Sequence, residues 1–427
     1  MLRRRCGMTG FRSYPRLHQG FFISTQTGFS YGVNVMTNKY NVSEKLFALE
    51  AFSKKTRQDL HKIPELSGEE YKTSKYCREL MESFGYTIRQ FESYTGFTAE
   101  LTVNPAYRLI AYRTDIDGLE MPDMTCNEHS SVHEGCAHNC GHDTHMTIAL
   151  TAAKYLSEHR DELTHNVRFI FQMAEEDMRV PGADKMVEMG CMDGVDEVYG
   201  LHNDAAIETG CIRFNAGVMS SYGSAWTLDV HGVSAHGSTP HKGLDAIREA
   251  TRIIDYMDYI VAKKTDPFSP AVFGCGMING GTIPNALADY VQARGTIRSM
   301  DEETDKILKA SFKEIVARSE AGGFKTTLEA CGYPAVINHP KAAEVIKNAA
   351  AAFLPAENID SNGKPMTGSE DFSYMINATK DRLGAMYFLG SGNKAKGINN
   401  YLHANPYFVD DDCLLIGAQI FINIATR

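Results

Sequence analysis

The 427-residue sequence contains no apolar run that approaches the length needed to cross a bilayer. It also has no excess of basic charge: 43 Lys and Arg against 53 Asp and Glu give a net charge of −10, whereas a phosphate backbone attracts a basic surface. Internal repeats and low-complexity tracts are absent as well. These absences argue against a membrane-spanning protein and against a nucleic-acid partner.

The ten cysteines are scattered and do not have the spacing of a disulfide framework. Cysteines that do not form disulfides are typical of a reducing compartment such as the cytosol, so we expect a cytoplasmic protein. Residues 1–35 contain five Arg and no acidic residue, a composition that resembles an organellar presequence. We prefer the alternative of an overextended start with Met36 as the first residue. On either reading, residues 1–40 form an N-terminal extension outside the fold.

A thiol, two imidazoles and a carboxylate are concentrated in the segment Asn139-Cys140-Gly141-His142-Asp143-Thr144-His145. Cys and His two positions apart can face one ion when the glycine between them allows a tight bend. Glu175-Glu176 and His202 each close an apolar run, where a parallel sheet presents its ligand-binding edge. Each residue alone would be an ordinary core or surface residue. Together with His403, the ordered groups supply N, S and O ligands for two divalent ions.

The length of the chain favours two domains. Strand, loop and helix alternate over residues 100–202, which predicts an α/β layered domain with a mostly parallel central sheet and helices on both faces. The pattern changes to strand, helix, strand, helix, strand over residues 216–330, which predicts a small α+β domain. Because His403 lies beyond it, we expect 41–215 and 331–427 to form the metal-binding catalytic domain and 216–330 to be an insertion.

From about residue 45 onward, the sequence resembles the dinuclear metallo-amidohydrolases that include hippurate hydrolases, auxin-amino acid conjugate hydrolases and N-acetyl-diaminopimelate deacetylases. These are related to carboxypeptidase G and aminoacylases. The resemblance implies metal-dependent hydrolysis of the amide bond of an N-acyl or N-aroyl amino acid. It rests on ordered motifs: His61-Lys62-Ile63-Pro64-Glu65, Arg113-Thr114-Asp115-Ile116-Asp117, Cys140-Gly141-His142-Asp143, Ala174-Glu175-Glu176, Gly200-Leu201-His202, Ser234-Ala235-His236, Gly295-Thr296-Ile297-Arg298, Gly368-Ser369-Glu370-Asp371-Phe372 and His403.

Carried over residue by residue, the resemblance implies a general base, Glu175, and a carboxylate that orients a ligand, Asp115. His236, from the inserted domain of a neighbouring subunit, would stabilise the oxyanion. The substrate-binding residues would be Asn285 and Arg298, which hold a substrate carboxylate, and Gly368. The implied metal ligands are Cys140, His142, Glu176, His202 and His403.

The resemblance also implies two divalent ions per subunit and a homodimer, with 216–330 as the dimerisation and lid domain. One thiolate favours Zn²⁺ over Mn²⁺, while the mixed His and carboxylate ligands tolerate Mn²⁺, Co²⁺ or Ni²⁺. The sequence departs from the family at Met173, where relatives usually have Pro. It also has His138-Asn139 before Cys140, where His-Ala is common. These departures leave the implied ligands intact.

Two alternatives stay open at this point. The first is a dipeptidase or carboxypeptidase of the same family, which differs in whether the acyl side of the substrate carries a free amine. The second is a catalytically silent paralogue that binds a metal or ligand. Retention of both Glu175 and Glu176 argues against the silent paralogue, since such a site has no use for the base.

Overall fold

The structure is a computed structural model that describes residues 38–180 and 182–427. Residues 1–37 of the predicted N-terminal extension therefore lie outside the described part of the chain. Within the described residues, no helix is long and apolar enough to cross a membrane.

The described residues form ten α-helices and twelve β-strands. The helices are α1 (Glu44–Phe47), α2 (Glu50–His61), α3 (Tyr71–Ser83), α4 (His142–Glu158), α5 (Ala183–Glu188), α6 (Ala246–Lys263), α7 (Glu302–Ala321), α8 (Pro340–Ala351), α9 (Ser373–Ala378) and α10 (Cys413–Ala425). The strands are β1 (Thr87–Gln90), β2 (Phe97–Leu101), β3 (Leu109–Asp115), β4 (Asn166–Gln172), β5 (Glu197–Glu208), β6 (Ile212–Arg213), β7 (Tyr222–His231), β8 (Ala271–Gly280), β9 (Tyr290–Ser299), β10 (Lys325–Tyr333), β11 (Ile359–Asp360) and β12 (Gly384–Gly392).

Eight strands form the larger sheet, in the order β1-β2-β4-β3-β5-β12-β6-β11. Its four central strands, β4, β3, β5 and β12, are all parallel. Strand β4 is buried along almost its whole length and carries no strict apolar–polar alternation, as expected for a parallel strand covered on both faces. Helices α4 and α10 pack against each other in the same core. The predicted α/β fold class is confirmed.

The strand register brings the candidate site to one level of this sheet. Asp115, the last residue of β3, pairs with Gln172, the last residue of β4. Arg113 pairs with Gly200 on β5, so His202 lies level with Asp115. His202 is thus inside β5 rather than at the end of a strand, because β12 gives β5 a partner as far as Glu208.

The smaller sheet is antiparallel and has the order β10-β7-β9-β8. Helices α6 and α7 cover one of its faces and enclose a separate core around Trp226, Phe273 and Phe312. Three strands were predicted here; β8 is a fourth, and β10 continues past residue 330 to Tyr333. The two cores support the predicted division of the chain, although its boundaries remain a prediction.

One end of the smaller sheet contacts the loop between β11 and α9, since the N–H of Ser221, immediately before β7, donates to the Gly368 carbonyl. At about 3.3 Å per residue, the other end of β7, at His231, lies about 30 Å away. We call these the near end and the far end of the smaller sheet. Arg298, paired with Gly223, is at the near end. His236 lies beyond His231, at the far end.

Candidate metal centre

Five predicted metal ligands, together with Glu175, converge at the carboxyl edge of β3 and β4. The Cys140 Sγ lies 3.3 Å from His202 Nε2. The His142 Nε2 lies 3.7 Å from Glu176 Oε1, which is 3.5 Å from His403 Nε2. Their ligand atoms form overlapping groups within 4.8 Å: Cys140, His142 and His202; Cys140, Glu176 and His403; His142, Glu175 and Glu176.

The turn that carries Cys140 and His142 depends on Gly141, which is the N-cap of α4. Its φ of 92° lies in the left-handed region, where a side chain is disfavoured. A Cβ at this position would also lie 2.1 Å from the Asn203 Oδ1. The predicted need for glycine here therefore has two causes, backbone conformation and close packing against β5.

Hydrogen bonds orient the two buried imidazoles. The His142 Nδ1 lies 3.0 Å from the Asp117 carbonyl and 3.1 Å from its Oδ1, and the His202 Nδ1 lies 2.8 Å from the Asn203 carbonyl. Since these partners are acceptors, both Nδ1 atoms donate, which leaves the Nε2 lone pairs facing the cluster. Such partners fix the tautomer of metal-binding histidines.

The donor atoms fit divalent ions. Bonds of about 2.0–2.3 Å to a tetrahedral ion separate its ligands by about 3.3–3.8 Å, which matches the distances between these side chains. The buried His142 Nε2 and Glu176 Oε1 face each other without a hydrogen-bond partner. Two acceptors in this position would repel, so a positive charge has to lie between them, either a proton on His142 or a bound metal ion.

Charge supports the same conclusion. Burial alone would lower the pKa of His142, but Asp115 and Asp117 outweigh it and raise the pKa to about 10. Burial and the nearby Glu370 and Glu176 raise the pKa of Glu175 well above its ordinary value. The site therefore has an excess of negative charge that favours bound cations.

The adjacent carboxylates Glu175 and Glu176 project from a turn with an unusual backbone. Ala174, a non-glycine residue, has a φ of 52°, and its N–H donates to the buried Glu70 Oε1 at 2.9 Å. The Glu176 N–H donates to Asp117 Oδ2, also at 2.9 Å. These two bonds hold the turn, and the Glu175 and Glu176 side chains are each only about one-tenth exposed.

Asp115 binds the network beneath the ligands. Its Oδ1 lies 2.7 Å from His145 Nδ1, its Oδ2 accepts from Arg113 at 2.7 Å, and the same Oδ2 lies 3.7 Å from His142 Nε2. His145 is close enough to be a ligand, but its Nε2 accepts from the Asn203 N–H at 2.9 Å. Both of its ring nitrogens are engaged, which agrees with its omission from the predicted ligands.

Three supporting residues were given no role by the sequence analysis: Asp117, His145 and Arg113. The buried Arg113 contacts Asp115, Glu370 and Asp371 and so counters three carboxylates. For Arg113 and Asp117 the signal in the sequence was charge at the end of an apolar strand, and for His145 it was the position three residues after His142.

A cavity of about 250 Å³ opens beside the cluster. Gly368 and Ser369 line it together with Glu175 and His403. The Arg298 Nη1 donates to the Ser369 Oγ at 2.7 Å, passing over Gly223, where a Cβ would lie 2.3 Å from that nitrogen. The near end of the smaller sheet thus contributes an arginine to the edge of the cavity.

His236 and Asn285 are brought together, but away from the cluster. They lie at the far end of the smaller sheet, where the Gly237 N–H donates to the Asn285 carbonyl at 2.7 Å. The exposed His236 ring contacts Ser238 Oγ at 2.7 Å. Arg298 is near the opposite end of β9, about 26 Å from Tyr290 at the strand rise. Asn285 and Arg298 of one chain therefore cannot hold the same carboxylate.

The sequence pattern of Peptidase family M20/M25/M40 matches residues 111–427, and the chain belongs to this family. The chain is 32% identical over 377 residues to thermostable carboxypeptidase 1 of Saccharolobus solfataricus, and this alignment covers 87% of this chain and 94% of that protein. It is 31% identical over 411 residues to N-acetyl-L-cysteine deacetylase of Bacillus subtilis, covering 96% and 93% respectively.

Among solved structures, the Bacillus subtilis YXEP protein, a dinuclear metal-binding peptidase of the M20 family, superimposes with a TM-score of 0.74. It is 26% identical in sequence, and the match covers 89% of this chain and 98% of that one. The predicted family is confirmed, and so is the predicted class of enzyme, a hydrolase of amide bonds.

Proposed function

We propose that this protein hydrolyses the amide bond of an N-acyl amino acid with two divalent ions held by Cys140, His142, Glu176, His202 and His403. The observation that carries the proposal is the cluster of ligand atoms 3.3–3.7 Å apart, with the buried His142 Nε2 and Glu176 Oε1 lacking partners. When bound, the ions would polarise the amide carbonyl and lower the pKa of the attacking water.

Glu175 would act as the general base, taking a proton from the water and giving it to the leaving nitrogen. Its burial among other carboxylates raises its pKa well above the ordinary value, so that it can hold the proton during transfer. The bond from the Ala174 N–H to Glu70 holds the turn that carries this carboxylate. Asp115 would fix the ligand-bearing strands through Arg113 and His145.

The amino acid side of the substrate would reach Arg298. A guanidinium at the cavity edge suits a free carboxylate, and Gly368 leaves room beside it. His236 and Asn285 would act from a second copy of the chain, His236 as the oxyanion donor. Both residues lie at the far end of the smaller sheet, about 30 Å from its near end, which supports a role in the site of the second copy and not in their own.

We propose that residues 216–330 form the dimerisation and lid domain of a homodimer. Strand β8 is one of the two edges of the smaller sheet, and its exposed apolar side chains are Val272, Met277 and Ile278. An exposed apolar edge of this kind is a liability in a monomer. Pairing with the same edge of a second copy would cover it and bring the far end close to the other copy's metals.

The acyl side favours an N-acyl amino acid over a dipeptide. The cavity is lined by three apolar side chains, those of Met178, Met366 and Leu402. Apart from the predicted ligands and base, the described residues that line it include one carboxylate, Glu370, whose Oε1 lies 2.9 Å from Arg113 Nη2. This apolar lining, with Glu370 paired through its Oε1, suits an acyl group better than an ammonium group. This supports the N-acyl reading over the dipeptidase.

Zinc is the metal we propose first, because Cys140 supplies a thiolate; Mn²⁺, Co²⁺ and Ni²⁺ suit the other ligands. The nine cysteines of the described residues are all free, which supports a cytoplasmic location.

The proposal is tested by stripping the metals with a chelator, reloading with Zn²⁺ or Mn²⁺, and comparing N-propanoyl and alanyl derivatives of the same amino acids. The two series differ only by the amine. We expect hydrolysis to disappear with the metals, to return on reloading, and to favour the propanoyl series. Preference for the alanyl series would indicate a dipeptidase, and activity in fully metal-free protein would contradict the proposal.

A further inference from the structure

His403 differs from the other predicted ligands in its surroundings. Its side chain is 50% exposed, whereas Cys140, His142 and His202 are buried. Its φ of 62° is in the left-handed region, which is costly for a residue other than glycine. It also belongs to the long connection between β12 and α10, not to a strand or helix. Something other than local conformation must hold it in place.

Asn139 contacts the backbone on both sides of this histidine. The His403 N–H donates to the Asn139 carbonyl at 2.9 Å, and the Asn139 Nδ2 donates to the Ala404 carbonyl at 2.8 Å. Asn139 is fully buried and directly precedes Cys140. The two bonds therefore join the loop of His403 to the turn that carries another ligand of the same group, Cys140, Glu176 and His403.

We infer that Asn139 is a positioning residue that sets the affinity of the one metal ion bound through His403. The inference rests on the proposed function, since it takes His403 as a ligand. Of these two bonds, substitution of Asn139 removes only the hydrogen bond from its side chain to the Ala404 carbonyl. The bond from the His403 N–H is kept in any variant, because its acceptor is the backbone carbonyl of residue 139. Loss of a group that orients a ligand typically lowers metal affinity by about 10- to 100-fold.

Asn400 provides a matched control in the same loop. Its Nδ2 donates to the Phe408 carbonyl at 3.2 Å and its Oδ1 accepts from the Phe408 N–H at 3.3 Å, so it makes the same kinds of bond within the loop. It does not contact the Cys140 turn. Asn139→Leu is a second test variant: it fills a similar volume but cannot donate, so it keeps the site filled if Asn139→Ala fails to fold.

The experiment titrates the metal-free full-length chain with Zn²⁺ in competition with a chromophoric chelator, and with Co²⁺ followed by visible absorption. We expect wild type and Asn400→Ala to bind two equivalents alike. Asn139→Ala and Asn139→Leu should weaken one equivalent about 10-fold and leave the other unchanged, and His403→Ala should weaken that same equivalent further.

Unchanged affinity for both ions in the Asn139 variants would overturn the inference. Equal weakening of both would also overturn it, since it would show that Asn139 supports the whole turn. If His403→Ala binds both ions as wild type does, the proposed ligand set is itself wrong and the inference falls with it. Melting temperatures of the metal-free variants identify loss of fold.

Discussion

The metal-binding edge of the larger sheet and the far end of the smaller sheet are built in opposite ways. At the edge, His142 and Asp115 are fully buried and are held by Asp117, Arg113 and His145. At the far end, His236 is exposed, and its ring bonds only within its own loop among the described residues. The first region brings its residues together within one chain, whereas the second is the part that we propose acts on another copy.

Glu175→Gln should have the largest effect, because it removes the base from the buried region without removing a ligand. We expect kcat to fall by about 10² to 10⁴-fold while bound metal stays near two equivalents. Metal analysis and kinetics on one preparation measure both. Glu176→Gln is the matched control and should lose metal instead. Near-normal turnover by Glu175→Gln would show that Glu175 is not the general base.

His61 tests the charge network beneath the buried edge. Burial alone would lower its pKa, but Asp143 and Asp123 raise the pKa from 6.5 to about 9. A raised pKa means that the protonated ring stabilises the folded chain by about 3 kcal/mol below pH 6.5, and that this stabilisation is lost as pH rises through about 9.

The difference in free energy of unfolding between wild type and His61→Asn should therefore shrink by about 3 kcal/mol between about pH 6 and about pH 10. Urea unfolding of the zinc-loaded proteins across this range measures it. His241 is exposed and outside the network, so His241→Asn should retain the wild-type dependence. A difference for His61→Asn that does not change with pH would show that the ring is neutral in the folded protein.

Arg298→Ala should have a smaller and more selective effect. The lost charge-assisted bond is worth about 1.5–3 kcal/mol, so KM for substrates with a free carboxylate should rise about 10- to 100-fold. The corresponding amides should change little. Arg294, four positions earlier on the same face of β9 and exposed, is the matched control. Equal losses for carboxylates and amides would mean that Arg298 supports the fold rather than the substrate.

Local patterns predicted the buried region better than the exposed one. The spacing in Cys140-Gly141-His142 and Glu175-Glu176 predicts groups that the structure brings together. Apolar spacing also predicts helices that begin at about Tyr71, Asp143 and Asp245, and α3, α4 and α6 begin within one residue of these positions. The same spacing predicts one long helix from Ser43, but the structure divides it into α1 and α2 near Leu49. Strand β8 was missed because Gly274, Gly276 and Gly280 interrupt any alternation of apolar and polar residues.

Contacts between distant segments could not be predicted. The bond between Asn139 and Ala404 joins residues 265 positions apart, and the Arg113 contact with Asp371 spans 258. Neither has a local signature, because both depend on how the sheet and its loops pack in three dimensions. The same limit applied to Asn285 and Arg298, for which the resemblance implied a common role, although strand β9 separates them.

A complementation experiment would show whether one active site combines metals from one copy with His236 from another. Glu175→Gln and His236→Ala chains should each be nearly inactive alone. After subunit exchange, roughly half of the dimers would be mixed, each with one complete site of two, so activity should recover to roughly a quarter of wild type. Persistent inactivity after verified exchange would contradict a shared site and would place His236 within its own subunit's site or outside catalysis.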